Sequence, residues 1–116
     1  MIDKNPVVKL SIEFSLDIIK FCEKLEQQKK FVLARQLLKC GTSIGANTIE
    51  AQNAESKADF IHKFKIASKE AEETEYFLLL CKRSKDYPDC SALVDKIESL
   101  NKLIGKIIST MKKRNQ

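Results

Sequence analysis

Gly41 and Gly45 stand four residues apart in the stretch GTSIGAN. Glycine loops of this kind can cradle a phosphate with backbone amides, so the pair is the first place to look for chemistry. Such a loop follows a strand and carries a lysine directly after its last glycine. Here no strand precedes the glycines, and Ala46 holds the lysine's place. Glu70, Glu72, Glu73 and Glu75 crowd the stretch KEAEETE. A di-metal centre in a helical bundle takes two Glu-x-x-His motifs from different helices. This chain has one histidine, His62, and the residue three before it is Asp59. The glutamates therefore fit a solvated face or interhelix salt bridges. Cys22, Cys40, Cys81 and Cys90 form none of the close pairs that zinc sites use, so free thiols in or near the core are expected. His62 has no arguable partner on its own segment, which makes it a structural or interface residue rather than a general base. The expectation is a chain that is not an enzyme, with no catalytic residue, no metal and no cofactor.

The spacing of apolar residues says which elements carry these groups. Val7, Phe14, Ile18, Phe21 and Leu25 fall on one heptad stripe, which Ser11 completes, and Pro6 suits a first helical turn. Ala34, Leu37, Gly41, Ile44, Thr48 and Ala51 keep the same period straight through both glycines. GTSIGAN thus reads as helix, with small residues where a neighbouring helix presses close. Phe60, Phe64, Ala67, Ala71, Thr74, Leu78 and Cys81 continue the pattern, behind Ser56 and Asp59 as a capping box. Pro88 ends that segment, and Asp89 or Ser91 can cap the next. There Leu93, Ile97, Leu100, Ile104, Ile107 and Met111 repeat the spacing. Four helices follow, at about 7–28, 31–54, 56–85 and 89–113, joined by short links. The predicted architecture is all-α, an antiparallel up-and-down four-helix bundle in a single domain spanning 1–116.

The bundle carries more apolar surface than one core needs. Leu10, Leu16 and Ile19 lie off the first stripe, Tyr76 to Cys81 are apolar all round, and Leu103 and Ile108 flank the last stripe. A second buried face is expected, and with it a homo-oligomer. The net charge is +5, and the basic excess sits in residues 29–55 and 87–116. That balance suits a polyanionic partner, RNA or DNA. Lys29, Lys30, Arg35 and Lys39 gather near the second helix's start. Lys65 and Lys69 share an arc of the third helix with His62. Lys102, Lys106 and Lys113 form a stripe on the fourth. With few aromatic residues among them, binding would be driven by phosphate and tolerant of sequence. A ring of copies would multiply each patch. No apolar run reaches membrane-spanning length and no signal peptide opens the chain, so a cytoplasmic protein without membrane partners is expected. The competing expectation is a protein-interaction scaffold that contacts another protein and not nucleic acid.

Phe31 to Leu80, with GTSIGAN, EAQNAESKADFIHK and KEAEETEY, resembles the four-helix bundle proteins encoded in intervening sequences of bacterial 23S ribosomal RNA genes. SIEFSLDIIKF, Ser11 to Phe21, is similar to their first helix. Gly41, Ser43, Ile44, Gly45, Ala46, Asn47, Glu50, Asp59, Phe60, His62, Lys63, Glu70, Glu75 and Tyr76 carry the likeness. It is weakest in the last helix, and Thr48 and the cysteines depart from the pattern. The resemblance extends to the Avd-like accessory proteins of diversity-generating retroelements. It implies a homopentameric barrel with a positive surface. For the accessory proteins it also implies binding to nucleic acid and to a reverse transcriptase. It makes none of the motif residues catalytic. Asn47 and Glu50, polar beside the core stripe, are candidates for a hydrogen-bond network between helices or subunits.

Overall fold

Asn5 opens the first helix: its Oδ1 accepts from the Val7 amide at 3.1 Å, and Pro6 follows at the first helical position. The computed structural model describes residues 5–114, which hold four helices and no strand. These are α1 (Pro6–Gln27), α2 (Phe31–Ala51), α3 (Lys57–Arg83) and α4 (Ser91–Lys113). Lys29, in the left-handed region at φ 62°, turns the chain from α1 into α2, and the Lys30 amide donates back to Leu25 O at 2.9 Å. Ser56 Oγ accepts from the Asp59 amide at 3.0 Å. The Asp59 carboxylate returns the favour to Glu55, one residue before the position a capping box would use. At α4 the N-cap is Cys90, which makes no side-chain cap bond, so neither Asp89 nor Ser91 caps the helix; Asp89 accepts instead from both the amide and the hydroxyl of Ser91.

The heptad positions make the core. Val7, Phe14, Ile18, Phe21 and Leu25 of α1 are buried, as are Ala34, Leu37, Ile44 and Ala51 of α2. Phe64, Ala67, Ala71 and Leu78 come from α3, and Leu93, Ile97, Leu100 and Ile104 from α4. Three hydroxyls on these stripes are buried at no cost in unmade bonds. Ser11 donates to Val7 O, Thr48 to Gly45 O and Thr74 to Glu70 O, at 2.7, 3.0 and 2.7 Å. The stripe on α4 runs out early: Ile107 and Met111 are only half-buried. Cys22, Cys40, Cys81 and Cys90 are all free thiols in the core. Burial pushes the Cys22 thiol up to about 12 and the Cys81 thiol to about 11.

Helix α2 passes unbroken through both glycines. A Cβ added at Gly41 would stand 2.9 Å from Ile18 Cγ2, whereas one at Gly45 would meet Ser15 Oγ at 3.4 Å. The first is a collision and the second an ordinary contact. Gly41 is therefore the residue that lets α1 and α2 close up. α2 packs extensively on both α1 and α3, and α3 on α4, while α1 and α4 make the lightest of the four neighbouring seams. No helix among the described residues is long and apolar enough to cross a membrane.

Candidate nucleic-acid interface

The nine candidate cations are scattered over several faces. Lys29 is exposed in the α1–α2 link. Lys30 is half-buried, and its ammonium lies 4.4 Å from the Tyr87 ring centroid, a cation–π contact that ties the link to the α3–α4 connection. Arg35 faces α1, in a hollow of about 100 Å³ with Cys22, Glu26, Phe31, Ala34 and Leu38. Lys39 faces the other way, into a cleft of about 120 Å³ with Gln36, Cys40, Glu70 and Glu73. Burial and the neighbouring Glu73 push the Glu70 carboxyl up, while Lys69 and Lys39 pull it down. Lys39 thus stands beside acid, which offsets part of its field. Lys65 and Lys69 are exposed on α3, but Glu72 and Glu73 are exposed close by on the same helix.

Lys102, Lys106 and Lys113 have a different setting. All three are exposed on α4, and successive residues turned by about 100° bring them within a narrow arc. From Leu100 to Arg114 the helix and its cap contain no acidic residue and five cations, because Lys112 and Arg114 join the three. None of the five forms an ion pair among the described residues. Sequence reasoning passed over Lys112 and Arg114 as site residues, although the run MKKR was the signal. It also passed over Lys57 in the first turn of α3, whose ammonium is shut off from solvent with no hydrogen-bond partner among the described residues. Lys96 pairs with Asp17 of α1, beside a hollow of mixed charge that includes Lys20, Lys24 and Asp89.

The motif residues divide into packing and surface. Gly41, Ile44 and Gly45 are buried. Ser43 Oγ donates to Lys39 O at 2.7 Å, within its own helix. Asn47 does likewise, its Nδ2 donating to Ser43 O at 2.8 Å, so it joins no network between helices. Glu50 does reach α3, with Lys63 Nζ at 3.6 Å. Phe60 packs on Phe64 with ring centroids 4.8 Å apart, Asp59 serves the α3 cap, and His62 is exposed. The acidic cluster contributes one interhelix bond: Asn101 Nδ2 donates to Glu75 Oε1 at 2.8 Å. No group of three or more His, Cys, Asp or Glu among the described residues is placed to hold a metal ion.

Four helices around one hydrophobic core, with basic charge concentrated at the end of the last, define a four-helix bundle protein with an acid-free basic end on α4. The chain belongs to the 23S rRNA-intervening sequence protein family, whose model matches residues 3–109. It is also similar to a crystal structure from Bacteroides thetaiotaomicron VPI-5482, described as a protein of unknown function from the S23 ribosomal protein family. The two share 43% identity over 88% of this chain and 97% of that one, with a TM-score of 0.84. No protein of curated function matches the sequence.

Proposed function

We propose that this chain is a non-enzymatic bundle that binds RNA, or nucleic acid generally, through basic patches repeated around a cytoplasmic homo-oligomer. The observation that carries the reading is the acid-free second half of α4, with five cations over about 18 Å of helix. Lys102, Lys106 and Lys113 share one face and Lys112 and Arg114 flank it, and charge left unpaired in this way is what a phosphate backbone recruits. The helices take an antiparallel up-and-down course, supported by the reversed order of the α1–α2 contacts: Ser11 and Ser15 against Gly45, Ile18 against Gly41. The assembly is a homopentameric barrel. Its support, besides the family likeness, is the apolar surface left on α1 and α2, where Leu16, Ile19, Phe31 and Leu38 are each at least 40% exposed. Repetition then turns a weak patch into a multivalent one.

Binding of a structured RNA and a duplex DNA across a salt series tests this, with mass in solution measured on the same sample. A steep fall of affinity with salt is expected. Lys102→Glu with Lys106→Glu should weaken every sequence alike and flatten the salt slope by about two phosphate contacts. No binding even at low salt would sink the reading. It would leave a protein-interaction scaffold, with a partner such as a reverse transcriptase. The surface favouring that second reading is on α3, where exposed Tyr76, Leu79 and Leu80 adjoin Glu72 and Glu73.

A further inference from the structure

We infer that the second half of α4 is a single-strand site, whose cationic stripe takes phosphates and whose apolar flank takes unpaired bases. The inference rests on the nucleic-acid reading above and goes beyond it by naming the form of nucleic acid. Beside the stripe, Leu103, Ile107 and Met111 repeat at four-residue intervals. With Lys106, Thr110 and Arg114 they line an open groove of about 340 Å³. It is larger than the α1–α2 hollow, the α2–α3 cleft and the α1–α4 hollow beside Lys96. Ile107 and Met111 continue the heptad that buries Leu93, Ile97, Leu100 and Ile104, so their exposure needs a cause.

The cause is register. Lys96 pairs with Asp17, eleven residues after the start of α1, while α4 continues seventeen residues past Lys96. In an antiparallel pair α4 outruns α1 by about six residues, or about 9 Å. Met111 thus lies past the described start of α1 and Ile107 stands level with Pro6 at its edge, so neither is covered there as Ile97 and Ile104 are. Lys106 and Arg114 then rim an aliphatic floor, and no acid from the same helix opposes an anion there.

That combination selects among nucleic acids. A duplex keeps its base faces stacked inside and offers phosphate and sugar, so it would use the stripe and leave the groove wet. A single strand offers both charge and unpaired base faces, which apolar side chains can receive. With no aromatic residue on α4, the contact is packing and not stacking, and it is indifferent to base identity.

The test uses the full chain with a short unstructured RNA of mixed sequence, and the same strand annealed to its complement. The single strand should bind about fivefold more tightly, the bottom of the range for a base on an aromatic ring, because the floor here is aliphatic. Ile107→Ser with Met111→Ser should erase that preference while leaving duplex affinity in place. Since both residues are half-buried, Thr110→Trp serves as the second variant: Thr110 is exposed, so the fold is spared, and an added ring should raise single-strand affinity alone. Equal affinity for the two forms, with Thr110→Trp silent, overturns the inference and leaves the nucleic-acid reading standing. Binding to neither form overturns both. Capture of a synthetic Glu/Leu amphipathic helix in place of RNA would assign the groove to a protein. A preference that emerges only after residues 1–4 are deleted would assign it to the chain's own terminus. Dependence of the preference on chain concentration would assign it to a second copy. Each of these three also overturns the inference.

Discussion

Helix α1 has two seams, and they are built in opposite ways. Toward α2 the contact is so close that Gly41 has no room for a methyl group beside Ile18. Toward α4 the contact is the slightest among the neighbouring helix pairs, with a surface ion pair between Asp17 and Lys96. The tight seam removes side chains so that backbones approach, and packing returns the helix propensity that glycine forfeits. The loose seam leaves side chains on α4 uncovered, apolar ones included. A bundle needs the first kind of seam to choose its fold, and only the second kind leaves a face available to a partner.

The sharpest way to break this contrast is Gly41→Leu. Its Cβ alone would collide with a fully buried isoleucine, so a loss of about 3 kcal/mol or more is expected in urea unfolding. Gly41→Ala should cost less, about 1–2 kcal/mol, and Ile18→Val should recover part of it in a double-mutant cycle. Unchanged stability in Gly41→Ala would mean that the seam is not tight. Alkali probes the side of α1 that faces the core. The Cys22 and Cys81 thiols titrate near 9.0 when exposed and at about 12 and 11 when folded. The folded state therefore holds protons that the unfolded chain releases. The stability they contribute is intact below about pH 9 and is lost as pH rises toward those folded values. Melting temperature followed from pH 8 upward should fall, and less steeply in Cys22→Ala.

The third glycine gives the mirror-image result. Nothing lies within 4 Å of a Cβ at Gly105, so Gly105→Ala should raise stability by about 1 kcal/mol, the bare propensity gain. Gly45→Ala, with its ordinary contact to Ser15, belongs between the two glycines and should be close to neutral in the same unfolding assay. Smallest of all is the loose seam itself. Asp17→Asn should cost under about 0.5 kcal/mol and should matter less at high salt, because Lys96 is mostly in water. A larger loss would show that the α1–α4 contact is structural after all.

Much of the fold was legible because helical periodicity is a local property. The three-four spacing of apolar residues named the buried residues of α1 and α2 except Val8, Cys22, Cys40 and Gly45, and it carried α2 through GTSIGAN when the glycines alone suggested a loop. It named the close-packing role of Gly41 but could not rank it against Gly45, since that depends on whether Ile18 or Ser15 stands opposite. The candidate site was legible only as charge. Counting lysines could not tell that Lys30 would lie over Tyr87, that Lys39 would face Glu70 and Glu73, or that Asn47 would bond within its own helix.

By itself, then, the sequence determined four helices, their inward stripes, four inert thiols and a basic excess, because each follows from the order of side chains along one segment. Only the tertiary structure decided which of those side chains remained available. Ile107 and Met111 continue the stripe of Ile97 and Ile104, yet the first pair is half-exposed and the second fully buried. Met111 lies past the described start of α1 and Ile107 at its edge, and no local pattern in α4 encodes that register.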